Sequence, residues 1–124
     1  MTDMTDWQAK TLIPTLNVLD ISSALDFYTQ LGFNIDWKYP NEKSVTEVGL
    51  CLGDISVMLS LSESNNIQKQ NVYVIIENVE SYHEYLKNSL VQVSELVSSD
   101  YGMKDFSVTD PWGNLFTFGE EFKG

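Results

Sequence analysis

One order of apolar patterns occurs twice in this chain, and that duplication limits the fold more than any single motif does. Residues 12–18 read as a strand, with Pro14 leaving one edge unpaired. Asp20 is a helix N-cap, and Ile21, Ala24, Leu25, Tyr28 and Leu31 then recur at helical spacing up to the C-terminal glycine Gly32. Phe33, Ile35, Trp37 and Tyr39 alternate with Asn34, Asp36 and Lys38, the pattern of a half-buried strand. Pro40-Asn41-Glu42 reads as a turn. Strands near 44–52 and 54–61 follow, joined by a hairpin at Gly53-Asp54.

After a polar connector over 62–70 the order returns. Residues 71–76 form an apolar strand, Asn78 stands as a second N-cap 58 residues after Asp20, and Val79, Tyr82, Tyr85 and Leu86 make a helical stripe. Strands near 91–97, 103–109 and 114–119 complete the second copy, with Pro111-Trp112-Gly113-Asn114 turning into the last. The expected fold is α+β: a single domain over 1–124, built from two βαβββ modules at about 12–62 and 70–122, with 1–11 as an N-terminal arm. Neither module alone buries enough apolar surface, so the two must share a core.

Charge narrows the partners. A net charge of −11 argues against nucleic acid, whose binding depends on clustered cations, and against an anionic membrane surface. A field of that sign instead concentrates cationic small molecules. The run of apolar residues needed to span a bilayer is missing, and the first residues lack the basic start and apolar stretch of a signal peptide. Cys51, between Leu50 and Leu52, is the one cysteine and reads as a buried strand thiol rather than a nucleophile. The expectation is a reduced, cytoplasmic protein. His83, the one histidine, falls inside the second helix beside Glu84 and reads as solvated.

Three local strings carry a family resemblance. Residues 13–20, Ile-Pro-Thr-Leu-Asn-Val-Leu-Asp, precede a helix that contains Ala24-Leu25-Asp26-Phe27-Tyr28 and closes on Leu31-Gly32-Phe33. Tyr101-Gly102-Met103-Lys104-Asp105-Phe106 and Asp110-Pro111-Trp112-Gly113-Asn114-Leu115 stand near the end. Over about 11–122 the chain resembles the glyoxalase/bleomycin-resistance family of the vicinal oxygen chelate superfamily, and within it the bleomycin-resistance branch. The resemblance implies a curled mixed sheet with a cleft. It does not fix an activity, because the superfamily includes isomerases, dioxygenases, thiol transferases and drug-sequestering proteins.

In the metal-using members, four strands each supply one ligand to a divalent ion. The matching positions here are Ile13, Met58, Asn71 and Thr117. They offer no imidazole or carboxylate, so the expectation is no metal, no other cofactor and no catalytic residues. Strand parity leads the same way. With Leu16, Val18, Val57, Leu59, Val72, Val74, Phe116 and Phe118 packed inward, the cleft wall becomes Thr15, Asn17, Ser56, Met58, Ser60, Asn71, Tyr73, Ile75 and Thr117. Such a wall suits binding better than proton transfer.

In the bleomycin-resistance branch, planar rings of the drug are sandwiched by aromatic side chains at a dimer interface. The resemblance places Trp37, Tyr73 and Tyr101 at matching positions, the last where the family has Trp, and Tyr39 shares parity with Trp37. The loop over 38–43 departs from the family's drug-binding pattern. The expected function is a metal-free homodimer that sequesters a planar, cationic small molecule, bleomycin-like or otherwise. Its ligand-binding residues would be Trp37, Tyr39, Met58, Asn71, Tyr73, Tyr101 and Thr117. Two other readings stay open: a vicinal-oxygen-chelate enzyme of lyase or dioxygenase type with non-standard or no metal ligands, and a silent interaction module.

Overall fold

The computed structural model describes residues 6–122. The first module runs β1 (Thr15–Val18), α1 (Ile21–Gln30), β2 (Asn34–Asn41), β3 (Ser44–Leu52) and β4 (Ile55–Leu61). The second runs β5 (Asn71–Ile75), α2 (Val79–Lys87), β6 (Val97–Ser98), β7 (Met103–Thr109) and β8 (Leu115–Glu121). The strands form two four-stranded mixed sheets, ordered β1-β4-β3-β2 and β5-β8-β7-β6. Pairs β1/β4 and β5/β8 are parallel and the others antiparallel. The fold is therefore α+β, with the βαβββ order repeated. Of the N-terminal arm, residues 1–5 lie outside the described residues, and 6–14 carry no helix or strand.

Helix α1 starts as its sequence suggests. The Asp20 carboxylate accepts from the Ser22 backbone N–H at 3.0 Å and the Ser23 hydroxyl at 2.9 Å. Gly32 follows with φ +104°, a conformation that costs a residue with a Cβ but not glycine. Helix α2 starts differently. Asn78 takes φ 60° and its side chain makes no capping bond. Glu120, on β8, caps instead: its two oxygens accept from the Asn78 and Val79 N–H groups at 3.0 and 3.1 Å. Asn78 thus holds the expected N-cap position, but the capping bonds come from the Glu120 carboxylate, which also suits the positive end of the helix dipole.

The inward faces of both sheets and the helices share one core. Leu16, Val18, Ala24, Tyr28, Phe116 and Phe118 are fully buried in it. Phe116 of the second module meets Tyr28 and Phe33 of the first at ring-centroid separations of 5.8 and 6.1 Å. The Tyr82 hydroxyl on α2 donates to the Leu31 carbonyl at 2.6 Å, closing the module boundary from the other helix.

Several boundaries move from their expected places, each for a local reason. The first strand starts at Thr15, since Pro14 accepts a bond from the Met58 N–H at its carbonyl but has no N–H to return. Strand β2 runs through Asn41, and the turn is Glu42-Lys43, held by the Asn41 side-chain oxygen accepting from Lys43 and Ser44 N–H. Instead of a strand over 91–97, only Val97–Ser98 pairs. The preceding segment is tied to β7 through Ser94, whose hydroxyl accepts from the Ser107 N–H at 2.8 Å in place of a ladder bond. Tyr85 is 54% exposed and stacks on Tyr82 rather than facing the core. His83 is half-buried rather than solvated, its ring against Phe106 at 4.8 Å and Nε2 2.9 Å from the Ser94 carbonyl oxygen.

Candidate functional site

Each sheet keeps one face free of helices, and strand register decides what that face displays. On the first sheet, adjacent residues across the strands form two rows: Thr15, Met58, Gly49 and Trp37, then Asn17, Ser60, Glu47 and Tyr39. Met58 is therefore brought into one row with Trp37, and Tyr39 stands in the next. On the second sheet, Tyr73 pairs with Thr117 and Thr117 with Ser107, while Ile75, Gly119 and Asp105 make the next row. Asn71 stands one step away, opposite Leu115. The seven candidate residues thus divide between two open faces, Met58, Trp37 and Tyr39 on one, Asn71, Tyr73, Tyr101 and Thr117 on the side of the other.

A β-bulge sets the Trp37 direction. Ile35 pairs with Leu50, which faces the core, whereas Trp37 pairs with Gly49 on the open face, leaving Asp36 as the extra residue. The simple alternation of Phe33, Ile35, Trp37 and Tyr39 is corrected at that point. The strand is exposed along nearly its whole length rather than half-buried. The bulge also carries Asp36 to Cys51, whose sulfur lies 3.4 Å from Asp36 Oδ1. Cys51 is half-exposed rather than a core thiol, and its pKa is raised, by desolvation first and then by Asp36, which keeps it protonated at neutral pH.

The second face holds a connected polar group. Tyr73 and Tyr101 both donate their hydroxyls to one oxygen of Asp105, at 2.9 and 3.0 Å. The Tyr73 phenol is pushed up to about 12, by desolvation first and by Asp105 second. Although Tyr73 is 46% exposed overall, its hydroxyl end is pressed against the sheet at Gly119. A cavity of about 420 Å³ opens beside this group, lined by Leu12, Pro14, Ser56, Val57, Tyr73 and Ile75 among others. It lies between the two modules, and Trp37, Tyr39 and Tyr101 stand outside it.

The side chains at the four positions matched to metal ligands are an alkyl group, a thioether, an amide and a hydroxyl, borne by Ile13, Met58, Asn71 and Thr117. This donor set does not suit a hard or borderline divalent ion. Among the described residues, no three His, Cys, Asp or Glu side chains gather where they could hold one.

With this arrangement in view, comparisons with known proteins fix the family. A family model described as glyoxalase superfamily protein matches residues 2–124, and the chain belongs to that superfamily. Comparison with curated protein sequences gives no match. Among solved structures, TioX from Micromonospora sp. ML1 superposes with a TM-score of 0.79 at 17% identity, over 92% of this chain and 100% of that one. A bleomycin-binding protein solved with bleomycin gives 0.73 at 15% identity over 92% and 100%. A bleomycin resistance determinant encoded on transposon Tn5 gives 0.75 at 15% identity over 93% and 100%. At these identities the likeness is one of fold.

Sequence reasoning passed over Asp105, Gly49 and Gly119. The alternation Asp105, Ser107, Thr109 against buried Phe106 and Val108 was the available signal for the first. Glycines inside otherwise apolar strands were the signal for the others.

Proposed function

We propose that this chain is a binding protein that sequesters a planar, cationic small molecule, stacked on Trp37, Tyr39, Tyr73 and Tyr101, in grooves formed where the open faces of two subunits meet. Met58, Asn71 and Thr117 complete the walls. The observation that carries this reading is the exposure of the four aromatic rings, 45%, 60%, 46% and 70%, on faces that the described residues leave uncovered. Core packing does not account for rings left in water, and stacking or cation–π contact does.

Leu12, Ile13 and Ile75 are exposed by 89%, 48% and 69%, which supports a second copy covering part of the same surface. The net charge of −11 favours a cation as guest. A protein of the same fold has been solved with bleomycin, which makes that drug the first ligand to test. No covalent step is needed, and the donor set at the matched metal positions supports a role without one.

Sedimentation velocity and thermal shift with bleomycin test the two parts together. A dimer whose stability rises by about 2.7 kcal/mol at a drug concentration a hundred times Kd supports the reading. A monomer with an unchanged melting temperature at millimolar drug contradicts it.

A further inference from the structure

Two glycines lie in strand interiors without the positive φ that would by itself call for glycine. Gly49 in β3 and Gly119 in β8 are not among the glycines with positive φ, so other residues could adopt their conformations. An interior glycine weakens a strand and often marks a bulge, such as the one opposite Gly49, or the close approach of another group. Here that group is the Trp37 indole at Gly49 and the hydroxyl end of Tyr73 at Gly119.

A Cβ built on Gly49 would fall 2.1 Å from Nε1 of Trp37, 2.3 Å from Cε2 and 2.7 Å from Cδ1. A point in the ring plane 2.1 Å beyond Nε1 would be farther from both flanking atoms than these distances, so the position lies over the face of the indole at Nε1. The indole therefore rests one face on the sheet and turns the other outward. A Cβ on Gly119 would fall 2.1 Å from the Tyr73 hydroxyl oxygen and 2.8 Å from Cζ. Gly119 is the residue between Tyr73 and its acceptor: it pairs with Asp105 on one side and with Ile75 on the other. Tyr73 leans from β5 across β8 over Gly119 to reach the Asp105 carboxylate on β7.

We infer that Gly49 and Gly119 are positioning residues: Gly49 is a seat on which the Trp37 indole lies flat, and Gly119 is the gap across which the Tyr73 hydroxyl reaches Asp105, so that both rings are held in fixed directions for flat aromatic or heteroaromatic ligands to stack on. The inference rests on the binding reading above and adds to it the residues that fix the direction of the stacking rings. A ring already fixed with one face open loses little rotamer freedom when a second ring stacks on it. An alanine at Gly49 lifts the Trp37 ring from the sheet, and one at Gly119 displaces the Tyr73 hydroxyl from Asp105 and frees its ring.

The test uses G49A and G119A, with bleomycin as the probe. A background with Trp7 and Trp112 replaced by Phe leaves Trp37 as the sole tryptophan. The expected result is binding weakened about tenfold in each glycine variant, together with altered Trp37 emission and stronger acrylamide quenching in G49A without drug. Affinities equal to wild type in both variants would overturn the inference. So would an unchanged Trp37 signal in G49A, whatever the protein binds. If wild type does not bind bleomycin, the binding reading fails, and the Trp37 signal still decides the seat. Should G49A not fold, W37A/G49A removes the ring: recovery of the W37A melting temperature supports the seat, and failure to recover overturns it.

Discussion

The Tyr28 hydroxyl donates to Asp110 Oδ2 at 2.6 Å inside the shared core, joining the helix of the first module to the turn before the last strand of the second. Burial, with Asp110 next to it, raises the Tyr28 pKa far above the ordinary phenol range, so the proton stays in this bond. Asp110 also accepts from the Trp112 and Asn114 N–H groups and from Asn114 Nδ2. Asn114 in turn donates to the Asn17 carbonyl and accepts from the Gln70 N–H. Gly113, at φ +93°, permits the tight turn between them. Asp110 and Asn114 are therefore the buried ends of an Asp-Pro-x-Gly-Asn knot that fastens the modules.

Removing one strand of that knot has a predictable cost. Y28F deletes a buried bond to a charged acceptor and should lower unfolding free energy by about 1.5–3 kcal/mol. D110A strands several donors at once and should cost about 3–5 kcal/mol or prevent folding. Urea denaturation measures both, and a Y28F midpoint equal to wild type would contradict the assignment.

Glu120 couples the start of α2 to pH. Its pKa is lowered, first by the Val79 N–H and then by the Asn78 N–H, from an ordinary value of 4.5. On acidification the unfolded chain takes up this proton before the folded one does. The stabilisation is thus complete above the ordinary carboxylate value and is lost as pH falls through the lower, folded one. Thermal melts between neutral pH and pH 3 should show a shallower acid-side decline in E120Q than in wild type. Identical declines would remove Glu120 from the account.

Sequence made the repeated module, the Asp20 cap, the Gly32 stop and the inward parity of Leu16, Val18, Phe116 and Phe118 legible, because each depends on neighbours a few residues away. Placement of the site was legible only in part. Parity put Tyr73 and Thr117 on the open side, but the bulge at Asp36 arises from pairing with β3 and left no local trace. The Glu120 cap joins residues 42 apart, and the Tyr73–Asp105 bond joins residues 32 apart. Bonds of that range depend on register, which a single sequence does not print.

Asp105 should reveal itself in alkaline titration. Phenolate absorbance attributable to Tyr73, isolated by subtracting the Y73F curve, is expected to appear near a pKa of about 12. Desolvation, the larger cause, remains in D105N, which should still lower the value by removing the anion that opposes ionisation. Since the folded value lies above the unfolded one, wild type should also lose stability as pH rises from 10.0 toward about 12, and D105N less so. A Tyr73 difference curve, taken with and without Y73F, that D105N leaves unchanged would contradict the bond.

Capture of a flat guest on the open aromatic faces is the central claim. It is tested most directly by titrating bleomycin into protein whose sole tryptophan is Trp37 and following the emission. The account predicts saturable quenching with one drug molecule per subunit. Emission that stays flat to millimolar drug would contradict it.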